Sequence, residues 1–230
     1  MLGEDCTIDF HTHYDFQTPL PAADGVWRIV SLPLRQAHLP LPANTLTTLE
    51  LHPWSGEQWS SKFADMAAEA RFIGIGEVGL DRLKGRLTIP EQLAVLEQAV
   101  KRAEELQKPL TVHCVKAFSE LLALYKRLRW QVPTIIHYFR GNLALARQLW
   151  DHTQFVLSLP PAAYTQTALW DFLRDHPTYQ RRVVLETDDP QHGDIQAHYR
   201  TAAGLLQKPL PELRQLMRQQ LERIYHAGNF

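Results

Sequence analysis

Cysteine is scarce in this chain, and its scarcity excludes a disulfide-stapled or cysteine-ligated protein. Cys6 and Cys114 are the two cysteines among 230 residues, and both fall within apolar, strand-like runs without a Cys-x-x-Cys spacing. We therefore expect buried free thiols, as in proteins of reducing compartments.

Long apolar runs are also absent. No stretch approaches the roughly 18 apolar residues of a membrane-spanning helix. The N-terminal residues lack the basic-then-apolar pattern of a secretory leader. We therefore expect no contact with a membrane and a cytoplasmic location.

Neither sign of charge is in excess, because 24 Lys and Arg residues against 25 Asp and Glu residues give a formal net charge of -1. No global positive field attracts polyanions, so a nucleic-acid substrate would be held locally, by metal ions or a few basic side chains. The 45% of hydrophobic and 21% of charged residues exclude a disordered chain. The length fits a single barrel domain over residues 1–230.

Eight apolar runs have the length and composition of buried strands. They cover Thr7–His13, Val26–Leu34, Leu46–Leu51, Arg71–Asp81, Leu110–Val115, Thr134–Phe139, Phe155–Leu159 and Val183–Asp188. Helical patterns follow most of them, at Ser55–Ala70, Pro90–Leu106, Ala117–Leu128, Asn142–Trp150, Pro161–His176 and from there to Tyr225. Residues 35–43 carry Pro40 and Pro42 and cannot hold a full helix. The alternation predicts an α/β fold, a (β/α)8 TIM barrel in which the helix after strand 2 is missing or shortened.

The first strand ends in a run rich in metal-ligating side chains, Ile-Asp-Phe-His-Thr-His-Tyr-Asp, from Ile8 to Asp15. Side chains alternate between the two faces of a strand, so His11 and His13 should share one face with Asp9 and Asp15. A single His-x-His pair is weak, since a strand end with hydrogen-bonded polar side chains gives the same pattern. Histidine and carboxylate clusters are nevertheless typical of metal sites.

Histidines and carboxylates also end five further predicted strands. The set is His11 and His13 in strand 1, His52 in strand 3, Glu77 in strand 4, His113 in strand 5, His137 in strand 6 and Asp188 in strand 8. Barrel enzymes carry their reacting groups at the carboxyl ends of strands. Burying such groups without partners costs several kcal/mol apiece, so we predict two divalent cations with Glu77 placed to bridge them. Two such metals activate water and clamp a phosphoryl group, which predicts a hydrolase.

In this order the motifs resemble those of the TatD family of metal-dependent deoxyribonucleases, in the amidohydrolase-like superfamily. They are Asp9-Phe10-His11-Thr12-His13-Tyr14-Asp15, His52-Pro53, Gly76-Glu77-Val78-Gly79-Leu80-Asp81, Val112-His113-Cys114, Ile136-His137-Tyr138-Phe139-Arg140-Gly141 and Glu186-Thr187-Asp188-Asp189-Pro190. The resemblance implies the same barrel, with DNA or a smaller phosphate ester as substrate. It also implies one metal on His11, His13, Glu77 and Asp188 and a second on Glu77, His113 and His137.

The metal identity stays open at this point, with Mg, Mn and Zn as candidates. Imidazole ligands favour Zn, Mn, Fe, Co or Ni by their softness, whereas the resemblance implies Mg-supported cleavage. The oligomeric state is equally open, a monomer included.

Catalytic and substrate roles follow from these positions. We predict that Asp188 both ligates a metal and takes the proton of the attacking water, with Glu77 as the second catalytic carboxylate. We assign His52 to the substrate phosphate or the leaving group, with a structural role as the alternative. Arg140 is a candidate bidentate phosphate clamp, with a plain surface arginine as the alternative.

The resemblance is incomplete around the substrate. The family has Arg where Val115 stands, Ser where Arg140 stands and Gly where Glu50 stands. The predicted metal ligands are intact, so these departures concern the identity of the substrate.

Several other side chains have weaker assignments. We expect Asp9 and Asp15 to orient ligand histidines and Glu186 to pair with a basic neighbour or the backbone. We expect three aromatic residues near the barrel mouth, either as packing groups or as groups that stack on a base: Trp54, Trp59 and Tyr138. The histidines expected at the surface are His38, His152, His176, His198 and His226, and His192 is the one loop histidine near Asp188.

Three other functions compete with a nuclease. An amidohydrolase-type enzyme would cut an amide, lactone or carboxylic ester in the same barrel, but related barrels often bridge their metals with a carboxylated lysine where this chain has Glu77. A PHP-type phosphoesterase would continue its His-x-His run into a Ser-Asp-Gly-like segment, which Tyr14-Asp15-Phe16 does not resemble. A non-catalytic binding module would have lost one or two of the ligands.

Overall fold

Eight parallel strands form the centre of the structure, a computed structural model that describes residues 6–14, 25–189 and 193–225. They are β1 (Thr7–His13), β2 (Val26–Pro33), β3 (Thr45–Leu51), β4 (Phe72–Asp81), β5 (Leu110–Val115), β6 (Thr134–Ile136), β7 (Val156–Leu159) and β8 (Val183–Leu185). Each strand pairs in parallel with the next along the chain. The predicted (β/α)8 barrel is confirmed.

The barrel closes where the first strand meets the segment after the last. The His13 N–H donates to the Asp188 carbonyl at 2.9 Å, and the Asp188 N–H donates to the His11 carbonyl at 3.0 Å. The buried Asp9 carboxylate accepts hydrogen bonds from the N–H and the hydroxyl of Thr187. These bonds tie the two ends of the sheet together, so Asp9 serves the closure of the barrel.

Within the described ranges, seven α-helices cover the strands. They are α1 (Ser61–Ala67), α2 (Ile89–Leu106), α3 (Phe118–Leu128), α4 (Leu143–His152), α5 (Thr167–Asp175), α6 (Ile195–Leu205) and α7 (Leu210–Tyr225), and 3-10 turns cover Pro161–Thr165 and Pro177–Arg182. The amphipathic pattern of α2 buries a stripe of Val95, Leu96, Ala99, Val100 and Ala103. Asn142 caps α4 as expected, with its side chain accepting the Leu145 N–H at 3.0 Å.

No helix follows β2, as predicted. Residues 34–39 form turns, with the Gln36 N–H donating to the Pro33 carbonyl at 2.8 Å. The prolines at 40 and 42 exclude a longer helix before β3 begins at Thr45.

The first helix is shorter than predicted, because it begins at Ser61 instead of Ser55. The N–H and hydroxyl of Ser55 both donate to the His52 carbonyl at 2.9 Å, and the Glu57 N–H donates to the Ser55 hydroxyl. These local bonds compete with a helical turn. Ser60 then caps the helix by accepting the Phe63 N–H.

Strands β6 and β8 also end earlier than predicted, at Ile136 and Leu185 instead of Phe139 and Asp188. The backbone leaves the extended region directly after them, since Tyr138 and Asp188 have φ values of 46° and 66°. Left-handed residues of this kind are uncommon and concentrate at functional sites. The turn at each strand end aims its polar side chains at the barrel mouth.

The glycines of β4 allow two strands to approach closely. A Cβ on Gly76 would lie 2.3 Å from the Thr111 carbonyl oxygen, and a Cβ on Gly79 would lie 2.0 Å from that of His113. Real side chains never come this near, so glycine is required at both positions. The close approach brings Glu77 of β4 next to His113 of β5.

Two further expectations concern membrane-spanning helices and the cysteines. Within the three described ranges, no helix is both long enough and apolar enough to cross a bilayer. Neither Cys6 nor Cys114 forms a disulfide in the described part of the chain; Cys6 is buried, and Cys114 is half-buried instead of fully buried.

The expected surface position is wrong for one histidine. His38, His152 and His176 are exposed, whereas His198 is 2% exposed. Its Nε2–H donates to the Leu159 carbonyl at 2.8 Å and its Nδ1 contacts the Tyr164 hydroxyl, so the ring links α6 to the end of β7. Three other positions discussed above, Asp15, His192 and His226, lie outside the described residues.

His198 should make the fold sensitive to acid. Burial lowers the pKa of His198 to about 4, so the folded state disfavours its protonation. Its contribution to stability is present above about pH 6.5 and is lost as the pH falls to about 4, up to about 3 kcal/mol in total. We expect His198→Gln, which keeps a donor and an acceptor, to flatten the dependence of the urea midpoint on pH between 7 and 4.5. An equal slope in the variant and the wild type would contradict this.

Candidate metal centre

Glu77 lies at the centre of the barrel mouth, where five histidine rings converge on its carboxylate. Its Oε2 lies 3.2 Å from the Nε2 atoms of both His11 and His13. Its Oε1 lies 2.6 Å from His113 Nδ1, 2.7 Å from His137 Nε2 and 2.8 Å from His52 Nε2. The two oxygens of one buried carboxylate therefore face two different groups of imidazoles, which is the geometry expected of a bridging ligand.

Asp188 closes the site from the opposite side. Its Oδ1 lies 3.5 Å from His11 Nε2, 3.7 Å from His13 Nε2 and 3.9 Å from His137 Nδ1. The side chain is 29% exposed, whereas that of Glu77 is 1% exposed. Asp188 is thus a carboxylate of the cluster that a water or substrate can reach.

The ligand atoms form two groups that share Glu77. One consists of His11, Glu77, His137 and Asp188, and the other of His52, Glu77 and His113, with the atoms of each group within 4.8 Å of one another. Five of the six predicted metal ligands lie in these two groups. His13 is in neither of them, although its Nε2 lies 3.2 Å from Oε2 of Glu77. The grouping differs from the predicted division, because His137 lies with His11 and His52 lies with His113.

Several buried polar atoms of the site lack a hydrogen bond, which fits a bound metal ion. In the described part of the chain, buried atoms at this centre without a hydrogen bond include both ring nitrogens of His11, Oε2 of Glu77 and Nδ1 of His137. A buried donor or acceptor without a partner costs free energy. Imidazole nitrogens and carboxylate oxygens in this arrangement suit divalent cations, which would satisfy these atoms.

The electrostatics favour a cation as well. Burial alone raises the pKa of Glu77, but the interactions with the surrounding imidazoles of His137, His11 and His113 outweigh it and hold the pKa well below its usual range. Burial lowers the pKa of His137 to about 4, which leaves that ring neutral near pH 7 with a lone pair to offer. Burial acts in the same direction on His11, yet the carboxylates of Asp188 and Glu77, 3.5 and 3.2 Å from its Nε2, raise its pKa well above the ordinary value. The carboxylates thus draw positive charge into the site.

Asp81 is a member of the site that the sequence analysis left without a role. Its Oδ2 lies 3.0 Å from His113 Nε2 and accepts the indole N–H of Trp54 at 2.6 Å. A proton held on Nε2 leaves Nδ1 of His113 free to face Glu77, so Asp81 sets the orientation of that ring. The sequence feature that could have identified Asp81 as a site residue was its position at the end of β4, four residues after Glu77.

His52 differs from the other rings in its hydrogen bonding. The backbone N–H of Trp54 donates to His52 Nδ1 at 3.0 Å. A neutral imidazole that accepts at one nitrogen carries its proton on the other, so Nε2 is a donor directed at Glu77. A protonated nitrogen does not bind a metal, which favours proton donation by His52 over metal ligation.

A cavity of about 620 Å³ opens onto the metal centre from the side of β5 and β6. Its lining includes His113, His137 and Asp188 together with the basic residues Lys84, Lys116 and Arg140. The guanidinium of Arg140 lies 5.9 Å from the centre of the Tyr138 ring, and Val115 lines the same wall. Arg140 therefore stands where the prediction needs it, at the rim of the cavity that holds Asp188.

The aromatic residues divide between the mouth and the core. Trp54, 42% exposed, lines the cavity and lies under Lys84, whose Nζ is 4.6 Å from the ring centre. Trp59 packs on buried Phe63 with ring centres 5.1 Å apart. Glu186 is fully buried and accepts the backbone N–H of Tyr138, which confirms a backbone partner.

Fold and site together define a (β/α)8 barrel with a histidine and carboxylate cluster at the carboxyl ends of its strands. The model of the TatD-related DNases matches residues 33–227 of the chain. The chain belongs to this family, and the resemblance noted in the motifs is confirmed.

Named relatives agree with this assignment. The 3'-5' ssDNA/RNA exonuclease TatD of Klebsiella pneumoniae is 31% identical over 115 residues, which cover 48% of this chain and 44% of that protein. The human 3'-5' RNA nuclease TATDN2 is 31% identical over 126 residues, 51% of this chain and 16% of that protein. The chain thus spans less than half the length of these relatives.

Solved structures of the family share the fold over the whole chain. The TatD homologue YJJV of Escherichia coli superimposes with a TM-score of 0.79 at 20% identity, covering 97% of this chain and 99% of that one. A TatD family hydrolase of Entamoeba histolytica gives a TM-score of 0.77 at 14% identity, covering 96% and 98%.

Proposed function

We propose that this protein is a metal-dependent phosphodiesterase that hydrolyses single-stranded nucleic acid, with DNA as a substrate and smaller phosphate esters as weaker ones. The observation that carries the proposal is the Glu77 carboxylate, whose two oxygens face separate groups of imidazoles. The substrate class is supported by the names of two relatives, a 3'-5' ssDNA/RNA exonuclease of Klebsiella pneumoniae and a human 3'-5' RNA nuclease. We further propose that it works in the cytoplasm.

Two divalent cations fit the donor set, with Mg, Mn and Zn as the candidates. Such cations lower the pKa of bound water and neutralise charge on a phosphoryl group. On the ring geometry, we assign His11, His13, Asp188 and Oε2 of Glu77 to one cation. His113, His137 and Oε1 of Glu77 are assigned to the other.

The chain's own side chains supply the proton transfers. Asp188 is the exposed carboxylate of the cluster, so it is the group placed to take the proton of an attacking water. His52 presents a proton on Nε2 from the opposite side of Glu77. It is therefore the candidate donor to the leaving oxygen, which would otherwise depart with a negative charge.

Arg140 is proposed to hold a substrate phosphate. We expect Arg140→Ala to raise KM about tenfold, because charge-assisted hydrogen bonds contribute about 1.5–3 kcal/mol, while kcat stays within about twofold. Arg140→Lys should recover part of the lost substrate affinity, since lysine keeps the positive charge but lacks the paired N–H donors of the guanidinium. Arg127→Ala on the outer face of α3 is the matched control, and an unchanged KM in Arg140→Ala would make Arg140 a surface residue.

The experiment that tests the function is metal removal and restoration. The protein is stripped with a chelator, and Mg, Mn or Zn is added back in turn before hydrolysis of single-stranded DNA, a phosphodiester and a phosphomonoester is measured. We expect chelation to abolish cleavage, one of the metals to restore it, and Glu77→Ala to remain inactive under all conditions. Metal binding without hydrolysis of any phosphate ester would overturn the proposal.

A further inference from the structure

Glu50 places a third carboxylate beside the metal centre. It lies near the end of β3 with its side chain 12% exposed, and its Oε2 is 3.5 Å from Nδ1 of His13. Among the described residues this oxygen has no hydrogen bond of ordinary geometry. A nearly buried carboxylate is costly unless a partner compensates it, and the imidazole of His13 faces this oxygen.

The two nitrogens of His13 face different carboxylates. Nε2 lies 3.2 Å from Glu77 and 3.7 Å from Asp188, inside the cluster, while Nδ1 faces outward to Glu50. A neutral imidazole has one N–H and one lone pair, and the hydrogen bond at one nitrogen decides which nitrogen carries the proton. A proton held on Nδ1 by Glu50 leaves the Nε2 lone pair directed into the centre.

The same arrangement occurs once more in the site, on the other side of Glu77. There Asp81 lies 3.0 Å from Nε2 of His113, and Nδ1 of that ring faces Glu77. The exposed His13 ring, 40% accessible, has more freedom to rotate than the buried His113 ring at 8%. A ring with that freedom depends more on an orienting partner.

We propose that Glu50 is a positioning residue for His13, which fixes the ring and its tautomer so that Nε2 presents its lone pair to a divalent cation. This role rests on the metal-dependent function proposed above. Carboxylates behind ligating histidines typically change metal affinity by about 10–100-fold when they are removed. Glu50 lines a cavity of about 380 Å³ together with His13, His52, Arg35 and Arg86.

Metal affinity tests the proposal without any substrate. Titration of the metal-free protein with Zn by calorimetry should give two sites in the wild type. We expect Glu50→Met, which matches the side chain in length and is apolar, to weaken one site about 10–100-fold and leave the other unchanged. Glu50→Gln keeps an acceptor for the Nδ1 proton, so its Zn affinity at that site should lie between those of the wild type and Glu50→Met. Glu57→Gln, an exposed carboxylate on the loop after β3, is the control for loss of charge.

A measurement on the wild-type protein covers the case in which the variants do not fold. Long-range proton–nitrogen NMR of the Zn-loaded protein should report the proton of His13 on Nδ1. Equal Zn affinities for Glu50→Met and the wild type, or a proton on Nε2, would overturn the role of Glu50 and leave the proposed function intact. A wild type that binds no metal would overturn both.

Discussion

Glu77→Gln should abolish hydrolysis, with a loss of at least about 1000-fold in kcat. The amide is nearly isosteric with the carboxylate, so the change removes charge and one acceptor oxygen without opening a cavity. Five imidazole nitrogens lie between 2.6 and 3.2 Å from the two oxygens of this carboxylate. Asp188 lies farther from the imidazoles, with its Oδ1 3.5 to 3.9 Å from nitrogens of His11, His13 and His137, so it is less well placed to replace Glu77 as the bridge.

Metal content gives this prediction a second readout. We expect Glu77→Gln to hold less than the full complement of metal after dialysis, measured by elemental analysis alongside kcat and thermal unfolding. Glu69→Gln is the matched control, because Glu69 is a half-exposed carboxylate in a surface pair with Arg71. Full metal content with activity near that of the wild type would exclude a bridging role for Glu77.

The order of the elements could be predicted from the sequence because each buried strand is a short apolar run followed by turn residues. Two strands, β1 and β5, match the predicted bounds. The proline pair at 40 and 42 predicted the missing helix correctly. The convergence of the ligands could also be predicted, since the carboxyl ends of parallel strands meet at one end of a barrel.

Details that depend on tertiary contacts could not be predicted. Strand β6 ends at Ile136, and Glu186 accepts the N–H of Tyr138 in the turn that follows. The burial of His198 follows from the packing of α6 against the end of β7, which periodicity does not reveal. The pairing of Asp81 with His113 joins residues 32 positions apart.

The orientation and tautomer of each ligand ring could not be predicted for a related reason. Each histidine ring can turn either nitrogen toward Glu77, and the choice depends on what the other nitrogen meets. His113 uses Nδ1 because Asp81 holds Nε2, whereas the backbone N–H of Trp54 makes Nε2 of His52 a donor. These partners depend on the path of the backbone at the ends of β3 and β4. The spacing of the strands along the sequence does not reveal that path.

Asp188→Asn should separate proton transfer from metal binding. The residue has a φ of 66°, a conformation that asparagine adopts nearly as readily as aspartate, so the turn after β8 is preserved. Burial raises the pKa of Asp188, but the hydrogen bond and charge of His11 outweigh it and keep the pKa below its usual range. The carboxylate is therefore ionised near neutral pH and able to accept a proton, which an amide is not.

We expect kcat to fall about 10²–10⁴-fold in Asp188→Asn, the range typical of a lost general base. Because the amide oxygen still faces His11, we expect the variant to keep metal at high metal concentration, so kcat is measured under saturating metal in single turnovers. Asp175→Asn at the exposed end of α5 controls for the loss of one charge. If Asp188→Asn has the kcat of the wild type at saturating metal, Asp188 acts only as a metal ligand. The proton acceptor would then have to be water or the substrate itself.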